Sequence, residues 1–372
     1  TKKRFRTAAQ SRAPAAAIIA SMVLCFRWFF CRTASLINFL FFTMATTTAT
    51  KEAVRAALAP IAADMAEVER VIAEEMSSSV ARVQEIGRYI TQAGGKRMRP
   101  ALLILMARAM GEKTKAAPFL GAVIEILHTA TLMHDDVVDE GMMRRGRETA
   151  NARWGNGPAV LVGDFLYTRS FQMMVRAGNL RVMQALADAA NRLSEGEVLQ
   201  MANAHDPDVD EKRYFAVIER KTACLFEAAA HMAAALADAP KAYEDACAQY
   251  ALCLGNAFQI ADDILDYKGV AADIGKNLGA DLREGKVTLP VIYALQATSD
   301  ADKEMIRAAI RAGDGDFEAI SRIVVETGAI EKCHARALEE AKKGVEALNS
   351  LPAGQFRESL IKFLSFAAER DR

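Results

Sequence analysis

Proline is sparse, nine in 372 residues, and the apolar–polar alternation that marks half-buried strands is hard to find. Both scarcities leave helix as the working element. Histidine is scarcer still, five in all, and neither CxxC nor HExxH occurs, so zinc is not expected. The six cysteines are Cys25, Cys31, Cys224, Cys247, Cys253 and Cys333. The last four lie in Ala-rich helical contexts and read as small buried apolar residues of a reducing compartment. Acid is missing altogether from residues 1–51, which carry Lys2, Lys3, Arg4, Arg6, Arg12, Arg27, Arg32 and Lys51. The chain balances 47 basic against 47 acidic residues, so the remainder holds 39 against 47. That acidic excess argues against nucleic acid as the partner of the main body.

Residues 1–43 read as an extension outside the fold. Arg27 and Arg32 interrupt their apolar patches, so no clean span of about 20 apolar residues exists. Three origins stay open: an organelle transit peptide, a weak membrane anchor, or upstream sequence joined to a protein that begins at Met44. The polar leader ATTTATKE followed by ordinary helix favours the last. No repeat of fixed period and no low-complexity linker occurs in 52–372. Residues 44–372 are expected to form one all-α domain, a helical bundle around a central cavity.

Apolar residues at three-to-four spacing predict helices over Val54–Met76, Val80–Gln92, Ala101–Met110, Ala117–His134, Pro158–Ala177, Arg181–Ala204, Glu211–Ala237, Tyr243–Tyr267 and Leu289–Ala297, with several more from Lys303 onward. Gly94-Gly95 ends the second, and Pro100 opens the third at a first-turn position.

At the end of the fourth helix stand Asp135, Asp136 and Asp139. Positions i and i+4 share a helix face, so Asp135 and Asp139 point the same way. Carboxylates that close repel one another unless a cation sits between them. Hard oxygen ligands suit Mg²⁺, which takes one or two carboxylates and completes its shell with water and substrate phosphate. One such run reads equally well as a solvated acidic helix end. The stretch FQIADDILDY repeats it: Asp262, Asp263 and Asp266 have the same i, i+1, i+4 spacing at the end of another apolar helical run. Two copies facing each other across a cavity would hold a cluster of Mg²⁺ ions and one diphosphate.

Basic clusters accompany both. Gly94–Pro100, GGKRMRP, puts Lys96, Arg97 and Arg99 beside two glycines at a helix N-terminus, where amides, dipole and cations favour an anion. Arg144-Arg145-Gly146 follows the first acidic cluster. Lys276 and Lys286 lie in GKNLGADLREGK after the second; the segment fails the Walker pattern, because Asn277 and Val287 stand where Ser or Thr is required. The Asp206/Asp208/Asp210 alternation fails the EF-hand pattern and reads as a loop.

Taken together these motifs resemble the trans-prenyltransferases, the isoprenyl diphosphate synthase family, and within it the bacterial octaprenyl type. Two DDxxD motifs, RRG after the first, GGKRxRP upstream and GKxxGxD after the second all occur in order. The resemblance covers Lys51–Arg372 and none of 1–43. It implies that Asp135, Asp136, Asp139, Asp262 and Asp263 bind three Mg²⁺ ions that grip an allylic diphosphate, with Asp266 in support. It assigns Arg144, Lys221, Lys276 and Lys286 to that diphosphate, and Lys96, Arg99, His128 and Arg145 to isopentenyl diphosphate. Thr222 and Gln259 match positions near the reacting carbons. A lone helical histidine is usually structural, but His128 lies two turns before Asp135 on the same face. A homodimer, a cytoplasmic location, peripheral membrane contact and use of the product as a quinone side chain are also implied.

The implied reaction ionises the allylic carbon–oxygen bond, attacks the cation with the isopentenyl double bond and loses a proton to the departing diphosphate. A class I terpene cyclase would carry an Asn/Ser/Glu metal motif in place of the second DDxxD, and a non-catalytic subunit would have damaged aspartate motifs. Product length should follow from Ala130 and Thr131, about 6–7.5 Å up the helix from Asp135. Bulky residues there mark short-chain synthases of the family, making farnesyl or geranylgeranyl diphosphate. Neither residue is aromatic, so a long product of eight isoprene units is expected, with Phe165, Phe171 or Met174 closing the channel.

Overall fold

The long apolar-periodic stretches form helices in the computed structural model, which describes residues 56–268 and 278–368. In chain order they are α1 (Ala62–Glu75), α2 (Ala81–Gln92), α3 (Met98–Ala109), α4 (Ala116–Val138), α5 (Ala150–Trp154), α6 (Asn156–Ala177), α7 (Leu180–Asn203) and α8 (Glu211–Ile218). There follow α9 (Cys224–Leu236), α10 (Lys241–Lys268), α11 (Ala280–Arg283), α12 (Leu289–Ala297), α13 (Asp300–Ala312), α14 (Phe317–Glu326), α15 (Ala329–Ala347) and α16 (Gln355–Ala368). Among the described residues, strand is limited to one hairpin, Met143–Arg144 paired with Arg147–Glu148. Its turn residues Arg145 and Gly146 both have positive φ, 54° and 73°. A tight hairpin turn demands that geometry, and glycine adopts it without steric cost.

At the centre lies α9, whose sequence CLFEAAAHMAAAL buries ten of its thirteen residues. A helix apolar nearly all round belongs inside a bundle, and its alanines let neighbours approach closely. It packs against α3, α4, α7 and α10. The other main pairings are α4 with α6 and α10 with α15. One core surrounds α9. A second, including Tyr214, Ile260, Tyr267 and Leu289, lies between α8, the end of α10 and α12–α15. By length and hydropathy α4 could cross a membrane, but 72% of its apolar window is buried in the bundle, as in a core helix.

The structure departs from the expected boundaries in three places. Pro60 breaks the first predicted helix: Ala59–Ile61 is a 3₁₀ turn and α1 starts at Ala62, because proline has no N–H to give and crowds the preceding turn. Helix α4 runs past His134 to Val138, so Asp135 and Asp136 are helical and Asp139 is the C-cap. The predicted Glu211–Ala237 helix is interrupted by a π-helical segment, Glu219–Ala223. The Asp206/Asp208/Asp210 loop has a local explanation. Asp206 accepts the Asp208 amide and pairs with Arg213, and Asp210 caps α8 through the Arg213 amide at 2.8 Å, a cap of about 1 kcal/mol.

Candidate active site

The C-terminal ends of α4 and α10 meet across a cavity of about 570 Å³. From α4 come His128, Thr131, Leu132, Asp135 and Asp139, and from α10 Phe258, Gln259, Asp262, Asp263 and Asp266. Steps of three and four along each helix put these residues on one face. Of the eighteen site residues expected from sequence, fifteen line this cavity. Asp136 and Ala130 do not, and Lys276 lies outside the described residues.

The two acidic motifs are built alike, and neither is used as three equal ligands. Asp135 faces the cavity, whereas Asp136, one residue step of about 100° further round the helix, is buried on the other side. There it accepts Arg144 Nε at 2.6 Å. In the second motif Asp263 is buried, with Oδ2 taken by Tyr214 Oη at 2.6 Å and Oδ1 by Gln259 Nε2 at 2.8 Å. Asp266 accepts the Ala280 and Asp281 amides, 3.3 and 3.2 Å away. Asp135, Asp139, Asp262, Asp263 and Asp266 all line the cavity, whereas Asp136 does not. Among the described residues no three carboxylate, His or Cys groups come together tightly enough to hold an ion unaided.

Burial raises the Asp135 carboxyl above the usual carboxylate range against the pull of Lys221 and Arg144. Glu197 is raised by burial and by the charge of Asp135, and burial with Asp281 nearby pushes Asp263 well up. This crowding of acid is the condition that a bound cation relieves. On the same wall Lys286 reaches Asp139 at 3.1 Å and Glu284 at 2.5 Å. Burial pulls its ammonium down, but those two carboxylates outweigh it and hold it above its ordinary value.

The opposite end is cationic. Lys96, Arg99, Arg145 and His128 converge there. Arg99 is buried, with its guanidinium 4.6 Å from the Phe226 ring and its Nε without a hydrogen-bond partner. An unmet buried donor is costly. Arg145 donates to the Gly94 carbonyl; a Cβ on Gly95 would stand 3.0 Å from its Nη1. Burial, then Arg99, Arg145, Arg144 and Arg97, hold His128 well below the ordinary imidazole range, so it is neutral.

Arg97, the middle cation of GGKRMRP, serves the fold. Its backbone is left-handed, φ 47°, and its side chain binds Glu69 at 2.6 Å, buried Glu125 at 3.0 Å and the Thr91 carbonyl. It thereby ties α1, α2 and α4 together beneath the cationic end.

The π-helical segment supplies the remaining polar groups. Lys221 Nζ donates to Glu197 and Gln200, both at 2.7 Å, and Thr222 Oγ1 donates to Gln259 Oε1 at 2.8 Å. Sequence motifs do not point to Glu125, Glu197, Gln200 or Tyr214. Each acts through a partner 21 to 49 residues away, which no local spacing reveals. Ala130 lies wholly in the core at 0% exposure, so of the expected length-setting pair only Thr131 faces the cavity. Phe165 and Phe171 are half-buried and Met174 is buried, all in or against the core around α9.

The polyprenyl synthetase family model matches residues 80–327, which include every cavity-lining residue named above. The chain belongs to the polyprenyl synthetase family, and its chemistry is that of a trans-prenyltransferase. It is 46% identical to the octaprenyl diphosphate synthase of Escherichia coli (strain K12) over 313 residues, 84% of this chain and 97% of that one. It is also 46% identical, over 315 residues, to the geranyl-diphosphate-specific all-trans-nonaprenyl-diphosphate synthase of Rhodobacter capsulatus, with the same coverage of both chains. Among solved structures, a polyprenyl synthase from Caulobacter crescentus CB15, complexed with calcium and isoprenyl diphosphate, superposes with a TM-score of 0.83 at 38% identity, covering 86% of this chain and 98% of that one.

Proposed function

We propose that this chain condenses isopentenyl diphosphate repeatedly, head to tail, onto an allylic diphosphate to give a long all-trans chain, with octaprenyl diphosphate as the product. The observation that carries it is one cavity with an acidic wall, including Asp135, Asp139 and Asp262, and a cationic group, Lys96, Arg99 and Arg145. Two diphosphates of different use need those two kinds of site.

In this reading Lys221, Lys286 and Arg144 grip the allylic diphosphate, and charge building on its oxygens as the carbon–oxygen bond breaks falls among fixed cations. Magnesium ions at Asp135, Asp139 and Asp262, which we take as three, would neutralise that charge further when bound. Lys96, Arg99, His128 and Arg145 hold isopentenyl diphosphate so that its double bond lies against the allylic carbon. Thr222 and Gln259 face that region with hydroxyl and amide dipoles. The new carbon–carbon bond leaves a cation that sheds a proton to the departing diphosphate, so no side-chain base is required. Arg97, which also lines the cavity, and Asp136 hold the framework.

The small Thr131 on the cavity wall supports a long product. Relatives of equal identity bear names for eight and nine units, so length is the finer part of the proposal. The exposed Leu161, Val175, Leu180, Val198 and Met201 on α6 and α7 support a homodimer through those helices. The four described cysteines are buried and free, in keeping with a cytoplasmic location, where the apolar product would meet a membrane peripherally.

The test is incubation of the purified chain with isopentenyl diphosphate, an allylic diphosphate and Mg²⁺, then chromatography of the dephosphorylated product. A 40-carbon alcohol is expected, and chelation should abolish it. A 15- or 20-carbon alcohol would make it a short-chain synthase. Cyclic hydrocarbon formed without consumption of isopentenyl diphosphate would make it a terpene cyclase.

A further inference from the structure

Lys221 and Thr222 sit on the π-helical segment Glu219–Ala223 between α8 and α9. A π turn holds one residue more than the α ladder allows, and such turns gather at functional sites. Two glycines stand against this segment from opposite sides. Gly196 lies inside α7 and Gly255 inside α10, both buried. Neither has positive φ, so conformational freedom is not what they contribute. Glycine inside a helix is destabilising relative to alanine, and two here face the same five residues.

What they contribute is room. A Cβ on Gly196 would lie 2.7 Å from the Lys221 amide nitrogen, 2.8 Å from Arg220 Cβ and 2.9 Å from the Arg220 carbonyl carbon. On Gly255 it would lie 2.5 Å from Ala223 Cα and 2.6 Å from its Cβ. Most of these atoms are backbone and cannot swing aside. Gly344 in α15 offers the contrast: its nearest neighbour would be Leu364 Cδ2, at 2.6 Å, the far end of a side chain.

We infer that Gly196 and Gly255 are positioning residues, forming a slot that seats the π turn and so aims Lys221 and Thr222. Seated there, Lys221 reaches Glu197 and Gln200 on the α7 side, and Thr222 reaches Gln259 on the α10 side. From Gln259 the hydrogen bonds continue to Asp263 and Tyr214. The segment thus ties the wall beside Asp135 to the second acidic motif. With one residue fewer, α8 and α9 would run on as one α-helix, and the segment would turn by roughly 100° against α9. The inference rests on the prenyl-transfer reading of the cavity.

The test uses the full chain with Gly196→Ala, Gly255→Ala and, as a control whose added Cβ meets a side-chain end that can yield, Gly344→Ala. Each is assayed well below its own Tm with isopentenyl diphosphate varied. The isopentenyl subsite comes from α3, α4 and the hairpin, so its KM should stay within twofold in all three. Turnover should fall at least tenfold in the first two and stay at the wild-type level in the control, which loses only thermal stability. If all three lose thermal stability alone, with kcat intact, the inference is overturned. Should an alanine variant not fold, deletion of Arg220 shortens the π turn without adding an atom to the slot. It should keep wild-type helicity by circular dichroism and lose kcat at least tenfold; wild-type kcat in it overturns the inference. If the unaltered chain makes no prenyl product, the parent reading fails instead, so the two failures are told apart.

Discussion

Lys286 Nζ lies 3.1 Å from Oδ2 and 3.2 Å from Oδ1 of Asp139, across 147 residues of chain. A carboxylate of the first acidic motif is thus neutralised by a lysine placed after the second. Without ligands, this bridge and the Lys221–Glu197 pair offset part of the acidic crowding. In the proposed reaction both lysines are placed to exchange carboxylate for substrate phosphate.

The two members of each aspartate pair should differ in what they lose. Asp135→Asn and Asp262→Asn remove groups that face the cavity, and a lost charge-stabilising group typically costs about 10²–10³ in turnover. Asp136→Asn weakens only the hold on Arg144 and should cost about tenfold, at the low end for a supporting contact. Mg²⁺ titrations of turnover, with circular dichroism to confirm the fold, check this. Equal losses at Asp135 and Asp136 would show that the buried partner reaches the metal after all.

Glu125→Ala should be among the most destabilising single changes. It strands the buried Arg97 guanidinium, and breaking a buried ion pair from one side costs about 3–5 kcal/mol. Glu69 still holds Arg97 from a more exposed position, which places the expected loss near about 3 kcal/mol. Urea unfolding gives the number. A loss below about 1 kcal/mol would mean that Glu69 alone suffices.

How much of this could be read in the chain depends on how far each feature reaches. Helices came from local periodicity, and the shared face of Asp135 and Asp139 came from helix phase. The same phase already separates Asp135 from Asp136, but which of them faces inward depends on what α4 packs against. Arg97 was grouped with Lys96 and Arg99 because they are neighbours; its left-handed backbone and the carboxylate of Glu125 decide otherwise. The π turn was illegible because its cause lies in Gly196 and Gly255, on two other helices. Ala130 looked like a channel residue by its distance along the axis, but its angle around the axis points it into the core.

The contribution of His128 to stability should fall as pH drops below about 6.5, the ordinary histidine value. His128 is held lower than that when folded, so in this window the unfolded chain takes up a proton that the folded chain refuses, and unfolding gains. The loss continues until pH reaches the depressed folded value. The raised carboxyls of Asp135, Glu197 and Asp263 act in the opposite sense, so the informative comparison is with His128→Gln. That variant should lose less Tm than wild type between about pH 7.5 and pH 5.5. Parallel Tm profiles would remove His128 as the cause.

Thr131, rather than Ala130, should govern how long the product grows. Thr131→Phe puts a ring on the cavity wall while leaving the diphosphate groups untouched, so shorter alcohols should dominate the chromatogram. Ala130→Tyr overpacks the core instead and should cost about 1–3 kcal/mol or more, read as a lower Tm. Full-length product from Thr131→Phe would place the chain's path elsewhere.

Helix α9 is both the centre of the bundle and the continuation of the segment that carries Lys221 and Thr222. It is covered by α3, α4, α7 and α10 except on the face of Glu227 and His231, which are partly exposed. Hydrogen exchange along the buried faces of this helix should therefore be among the slowest in the chain. The residues that must stay aligned through many successive condensations are therefore anchored to the part of the molecule that breathes least, while the growing chain is accommodated by its surroundings.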